Sequence, residues 1–179
     1  MQRKRNLWVS MFLAITILLS TFVNAVSADI AVPFANKDLV EFDHDIGYYA
    51  YYYNIDSAYG DMYWRVYNSN ITPEQKYIFV SYDDNVYSLV ESYADCVDNM
   101  IRYYGVLMSS AEVILVKSVF STVSIAVAVA SGNTVSAIAT TIREVMNIAS
   151  DVDDHIVNNM AWVYHYADLA NDYYSSIPD

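Results

Sequence analysis

The residues best suited to acid–base or metal chemistry in this chain are three histidines, each placed near aspartate. His44 stands between Asp43 and Asp45, His155 follows Asp151, Asp153 and Asp154, and His165 lies three residues before Asp168. A carboxylate beside an imidazole can orient it as a base or share a metal ion with it. Asp151 and His155 have the i, i+4 spacing that puts both on one helix face. No zinc-ligand spacing accompanies these pairs, and no serine or cysteine sits in a nucleophile motif. Cys96 is alone, which excludes an internal disulfide; it reads as a small buried apolar residue. The expectation is a protein that is not an enzyme, with no catalytic centre, no metal and no cofactor. His44, His155 and His165 become pH-sensing candidates, since acidification toward about 5 would charge them and neutralise their carboxylate neighbours.

What positions these residues begins after a leader. Gln2-Arg3-Lys4-Arg5, an apolar stretch from Leu7 to Phe22 and small residues at Ala25 and Ala28 make a secretory signal peptide. Cleavage after Ala28 is the preferred of the two sites and predicts an extracellular protein of one domain, residues 29–179. All 21 acidic residues follow the leader and three of the nine basic ones lie in it, leaving the processed chain at −15. Such a surface repels nucleic acid and anionic lipid, which excludes a nucleic-acid partner and a cationic antimicrobial peptide. Asn70-Ile71-Thr72 matches the N-glycosylation pattern.

The processed chain reads as all-α, an up-and-down bundle of about four long helices over roughly 38–67, 73–104, 107–130 and 134–170. Leu39, Phe42, Ile46, Tyr49 and Tyr53 recur at steps of three and four after a candidate cap at Asp38. A strand over Tyr48 to Tyr53 is the rival there, with no obvious partner. Thr72-Pro73-Glu74-Gln75 has the form of a capping box opening the second helix, whose apolar face runs from Phe79 to Tyr104 and ends at Gly105. Gly132-Asn133 turns the chain, Thr134 caps the fourth helix, and a kink is expected near Asp151 to Asp154.

Between Lys117 and Arg143 run 25 residues with no charged side chain. As one helix, Val113 to Ser131 would be about 28 Å long, close to the roughly 30 Å hydrocarbon core of a bilayer. Thr134 to Ile142 would add only about 14 Å, too little for a second span. The run is therefore either the centre of the bundle or a segment released into lipid, with Val113, Val116, Phe120, Val123, Val127 and Gly132 as insertion candidates. An apolar helix hidden under an acidic coat resembles, in strategy, helical pore-forming toxins and the larger bacteriocins. That resemblance implies a secreted membrane-active protein whose partner is a target-cell membrane or surface protein, with oligomers on the membrane compatible. The chain also holds 18 tyrosines. Tyr48, Tyr49, Tyr52, Trp64 and Trp162 are the interface candidates, and they support the other expectation, a secreted helical binding or structural module without catalytic activity.

Overall fold

The segment expected as the first helix is a β-meander. The computed structural model describes residues 39–56, 61–79, 84–148 and 152–179; the leader, the Asp38 cap and Asp151 lie outside them. Strands β1 (Val40–His44), β2 (Gly47–Asp56), β3 (Asp61–Asn68) and β4 (Gln75–Phe79) form one antiparallel sheet in sequence order. Phe42 pairs with Tyr49, Tyr51 with Val66, and Trp64 with Ile78, so these side chains share one face. Aromatic and β-branched residues suit such a pleated, half-buried surface.

The all-α expectation fails here for a definable reason. Phe42 and Tyr49 face the same side of two different strands, and the turn at Asp45–Ile46 shifts the in–out parity between them. Two period-two strands joined by a tight turn thus imitate a spacing of three and four. Gly47 makes that turn with φ +138°, and a Cβ there would lie 2.7 Å from Asn70 Nδ2. The supposed capping box lies in the β3–β4 connection, with a cis Thr72–Pro73 bond, and Gln75 pairs with Tyr67 in the sheet.

Five helices follow: α1 (Asp84–Met108), α2 (Val113–Thr122), α3 (Ile125–Ala128), α4 (Val135–Met146) and α5 (Asp154–Ser176). Helix α1 begins at Asp84 rather than near Pro73, with Phe79 in β4. It keeps the later part of the expected apolar face: Tyr93, Val97 and Met100, joined by Val90, are buried in one core with Phe42, Tyr49 and Val66 of the sheet. It runs three residues past Gly105. Tyr103 meets Trp162 while Tyr93 meets Tyr174, so α1 and α5 are antiparallel. Ala161, Ala167 and Ala170 are fully buried on α5; side chains this small let neighbouring backbones come close. The centre of the helical layer is therefore α5 rather than the charge-free run.

That run is not one helix. Val123 is extended and Ser124 starts a new turn, its Oγ accepting the Val127 N–H at 3.3 Å. The Tyr164 hydroxyl, fully buried on α5, donates to the carbonyls of Val123 at 2.7 Å and Val119 at 3.3 Å. A side chain from another helix thus meets the Val123 carbonyl at the break, while Val119 O also accepts the Val123 N–H at 2.8 Å. The expected fourth helix also divides. Thr134 caps α4 by accepting the Ala137 N–H, and α4 ends on Asn147 in the left-handed region at φ 48°. Arg143 then donates to Val152 O at 3.1 Å and Asp154 Oδ1 at 2.6 Å, and Asp153 caps α5. At the far end of α5, the buried Lys76 of β4 donates to the carbonyls of Tyr174 and Ile177 and pairs with Asp179.

Candidate functional site

The three histidines do not converge. His44 ends β1 and stacks on Tyr104 with ring centroids 3.8 Å apart. Its pKa is lowered, first by burial and then by Lys117, with Asp43 and Asp45 pulling the other way. His155 is exposed in the first turn of α5, where Asp153 Oδ1 accepts its backbone N–H at 2.8 Å. His165 Nδ1 is 2.8 Å from Asn133 Oδ1 on the turn before α4. Among the described residues, no three His, Cys, Asp or Glu side chains are grouped to hold a metal ion. Cys96 is buried on α1, and desolvation pushes its thiol up to about 12, far from a reactive thiolate.

The insertion candidates separate by face. Val116, Phe120 and Val123 are buried in the core, Val113 and Gly132 are half-buried, and Val127 is exposed. The exposed side of α2 and α3 carries Lys117, Ser118, Ser121, Thr122 and Ser124. Among the described residues no helix is long and apolar enough to cross a membrane. The run's outer side is uncharged but open to solvent, made of serines and threonines with Ala126, Val127 and Ala130 among them.

The tyrosines occupy both faces of the sheet. Tyr49 is fully buried on the helix side, where its hydroxyl accepts from Asn70 Nδ2 at 2.7 Å. Burial raises its pKa, with the amides of Asn70 and Asn171 opposing. Trp64 lies on the same side, half-buried among Tyr51, Tyr53 and Tyr87. On the other side, Tyr52 is buried beside Arg65, whose guanidinium lies 4.7 Å from the Tyr77 ring and 6.0 Å from the Tyr52 ring. Tyr48 is half-buried there and donates to Glu41 at 3.4 Å. These residues act mainly as structure: their rings pack, and the hydroxyls of Tyr48 and Tyr49 are met.

Trp162 differs. Its ring is nearly parallel to Tyr103 across the α1–α5 seam, at 5.4 Å and 9°, and to Tyr166 one turn along α5, at 5.6 Å and 23°. Tyr103 and Tyr166 are themselves 5.9 Å apart at 19°. Three partly exposed rings, stacked in near-parallel planes, form an aromatic patch along the α1–α5 seam. The Arg102 guanidinium covers part of it, 4.6 Å from the Tyr103 ring. His165 borders it edge-on to Trp162. Flat rings with polar neighbours can take the C–H face of a ligand while the neighbours hydrogen-bond its edge. Trp162 and Tyr166 are visible in the sequence as an i, i+4 pair; Tyr103 joins them only through helix pairing.

A second feature lies a third of a turn around α5. A cleft of about 500 Å³ opens between the β1–β2 turn, the β3–β4 connection, the α2–α3 break and α5. Its polar walls include Asp45, Asn70, Ser124, Asp168 and Asn171. Asp168 is half-buried and its pKa is raised by desolvation, then by Asp172, with His165 opposing. Asn70 spends both Nδ2 protons, on Tyr49 and on the carbonyl of Ile46 at 3.1 Å, so a glycan at its triplet would displace structural bonds. These four segments are far apart in sequence, and no local pattern announces the cleft.

No protein-family model matches this chain, and neither a curated protein nor a solved structure matches it.

Proposed function

We propose that this protein is an exported, non-catalytic binding module that recognises extracellular polysaccharide through the patch of Tyr103, Trp162 and Tyr166. The observation that carries this reading is the near-parallel setting of three half-exposed rings on two packed helices. A pyranose ring presents a flat array of C–H bonds, and an aromatic plane receives it with little loss of side-chain entropy. The acidic surface favours a neutral polymer, since like charge repels an anionic one. The leader supports an extracellular site of action.

Membrane insertion is the less favoured reading on this geometry. It would require Val113 to Ser131 to straighten, removing Val116, Phe120 and Val123 from the core and stripping Tyr164 from its two carbonyls. Native gels cast with neutral polysaccharides test the proposal. At least one polymer should retard the wild-type protein, and Trp162→Ala should restore free mobility while keeping the wild-type circular dichroism spectrum. If no polymer retards the wild type, or if Trp162→Ala is retarded equally, the patch is only a seam between helices.

A further inference from the structure

We infer that the cleft between the β1–β2 turn and the α2–α3 break is a second binding site, for a neutral polyhydroxylated ligand the size of a mono- or disaccharide. It does not rest on polysaccharide binding by the aromatic patch. Asp168 follows Trp162 by six residues, which places them about 120° apart around the helix.

The cleft exists because the charge-free run breaks. Had α2 continued through Val123 and Ser124, its outer side would be a smooth helix wall. Instead the chain extends at Val123 and turns, leaving the short hydroxyl side chains of Ser121, Thr122 and Ser124 along one side. The volume of about 500 Å³ falls within the range of small-molecule sites. Ile46, Phe120 and Ile125 contribute apolar wall between the polar groups.

Its floor is preorganised. Asn68 is fully buried, donates to Asn171 Oδ1 at 2.9 Å and accepts the Asn70 backbone N–H at 2.9 Å. With Asn70 Nδ2 committed to Tyr49 and Ile46, only its Oδ1 is left for a ligand. Asn171 Oδ1 accepts from Asn68, and its side chain also meets the Tyr49 hydroxyl. These amides are therefore fixed in orientation before anything binds, which removes an ordering cost from association.

The hydrogen-bonding character of the lining selects the ligand. Asp45, Asp168 and Asn70 present acceptors, and the hydroxyls of Ser121, Thr122 and Ser124 work in either sense. Among the described residues, no lysine, arginine or histidine lines the cleft, so an anion would find no counter-charge there. The matching ligand is rich in donors and carries no negative charge. Vicinal hydroxyls satisfy this, and their C–H faces suit the apolar strip. A hydroxyl donating to Asp168 would also return part of the solvation that burial takes from its carboxylate.

The test is ligand-observed saturation-transfer NMR on the leader-free protein, with neutral hexoses, N-acetylhexosamines and their disaccharides as probes and putrescine as the amine control. At least one saccharide should receive saturation. Asp168→Asn should weaken it at least ten-fold, and Thr122→Trp, which fills the cleft from its exposed wall, should abolish it. Trp162→Ala should leave it unchanged. Transfer to putrescine alone, to no saccharide, or equally in Asp168→Asn and Thr122→Trp would overturn the inference. Because Trp162→Ala is scored on polysaccharide retardation, either site can fail without the other. Should Asp168→Asn not fold, Thr122→Trp decides the matter alone.

Discussion

Replacing Tyr164 by phenylalanine probes the joint that keeps the uncharged segment folded. The ring is fully buried, and its hydroxyl donates to Val123 O at 2.7 Å and Val119 O at 3.3 Å. Val119 O also accepts the Val123 N–H at 2.8 Å, so it keeps a partner when the hydroxyl goes. Val123 O loses the short bond that Tyr164 supplies. Phenylalanine preserves shape and leaves no cavity, so the cost is that of a buried carbonyl left unmet, about 1–3 kcal/mol. For a domain of this size, roughly 2–4 °C of Tm accompanies each kcal/mol, giving a fall of about 2–12 °C. Thermal and urea melts followed by circular dichroism should agree in sign, with an unchanged urea m-value. A variant melting within about 1 °C of wild type would mean that the break is held by something other than Tyr164.

Four further outcomes follow from the same geometry. His44 has a lowered pKa in the folded state, so the unfolded chain binds the extra proton and stability falls as pH drops from about 6.5 toward the folded value; His44→Gln should flatten that slope in melts at pH 7.5 and 5.5. Asp168 has a raised pKa, so its charge opposes folding at neutral pH. Asp168→Asn should therefore raise Tm at pH 7, with the gain shrinking as pH falls through the raised pKa toward 3.8. Lys76→Met removes the cation that Tyr174 O and Ile177 O accept from, and should cost about 1.5–3 kcal/mol in urea unfolding, with Lys76→Arg losing less. Asn147→Gly should be near neutral, whereas Asn147→Val should cost about 1–2 kcal/mol, because only the first tolerates a left-handed φ of 48° without strain.

How much of this was legible depends on how local the signal is. The part of α1's apolar face from Tyr93 to Met100 and the Thr134 cap of α4 rest on contiguous residues and appear where the spacing puts them, whereas Phe79, expected on the same face, lies in β4. The meander was hidden because its turns reset the parity of Phe42, Tyr49 and Val66, and because a strand over Tyr48 to Tyr53 has partners only when its flanks are strands too. Thr72 and Gln75 fit a helix start in isolation, yet the pairing of Tyr67 with Gln75 takes precedence. The uncharged segment misleads by composition: its serines and threonines face outward and one of them, Ser124, starts a new helix. Of the aromatic patch, Trp162 was visible as a large ring among tyrosines, but its alignment with Tyr103 depends on α1 lying antiparallel to α5. The cleft draws Asp45, Asn70, Ser124 and Asp168 from separate elements, so nothing short of the fold brings them together.

The central claim is that the rings of Tyr103, Trp162 and Tyr166 receive a sugar chain. Its most direct measurement is a tryptophan fluorescence titration with the retarding polysaccharide, comparing wild type with Tyr103→Ala and Trp162→Phe. A saturable spectral change in the wild type, lost in Trp162→Phe and shifted to at least ten-fold higher polymer concentration in Tyr103→Ala, is the predicted result. A wild-type spectrum unmoved at saturating polymer, or a change that survives in Trp162→Phe, would contradict it.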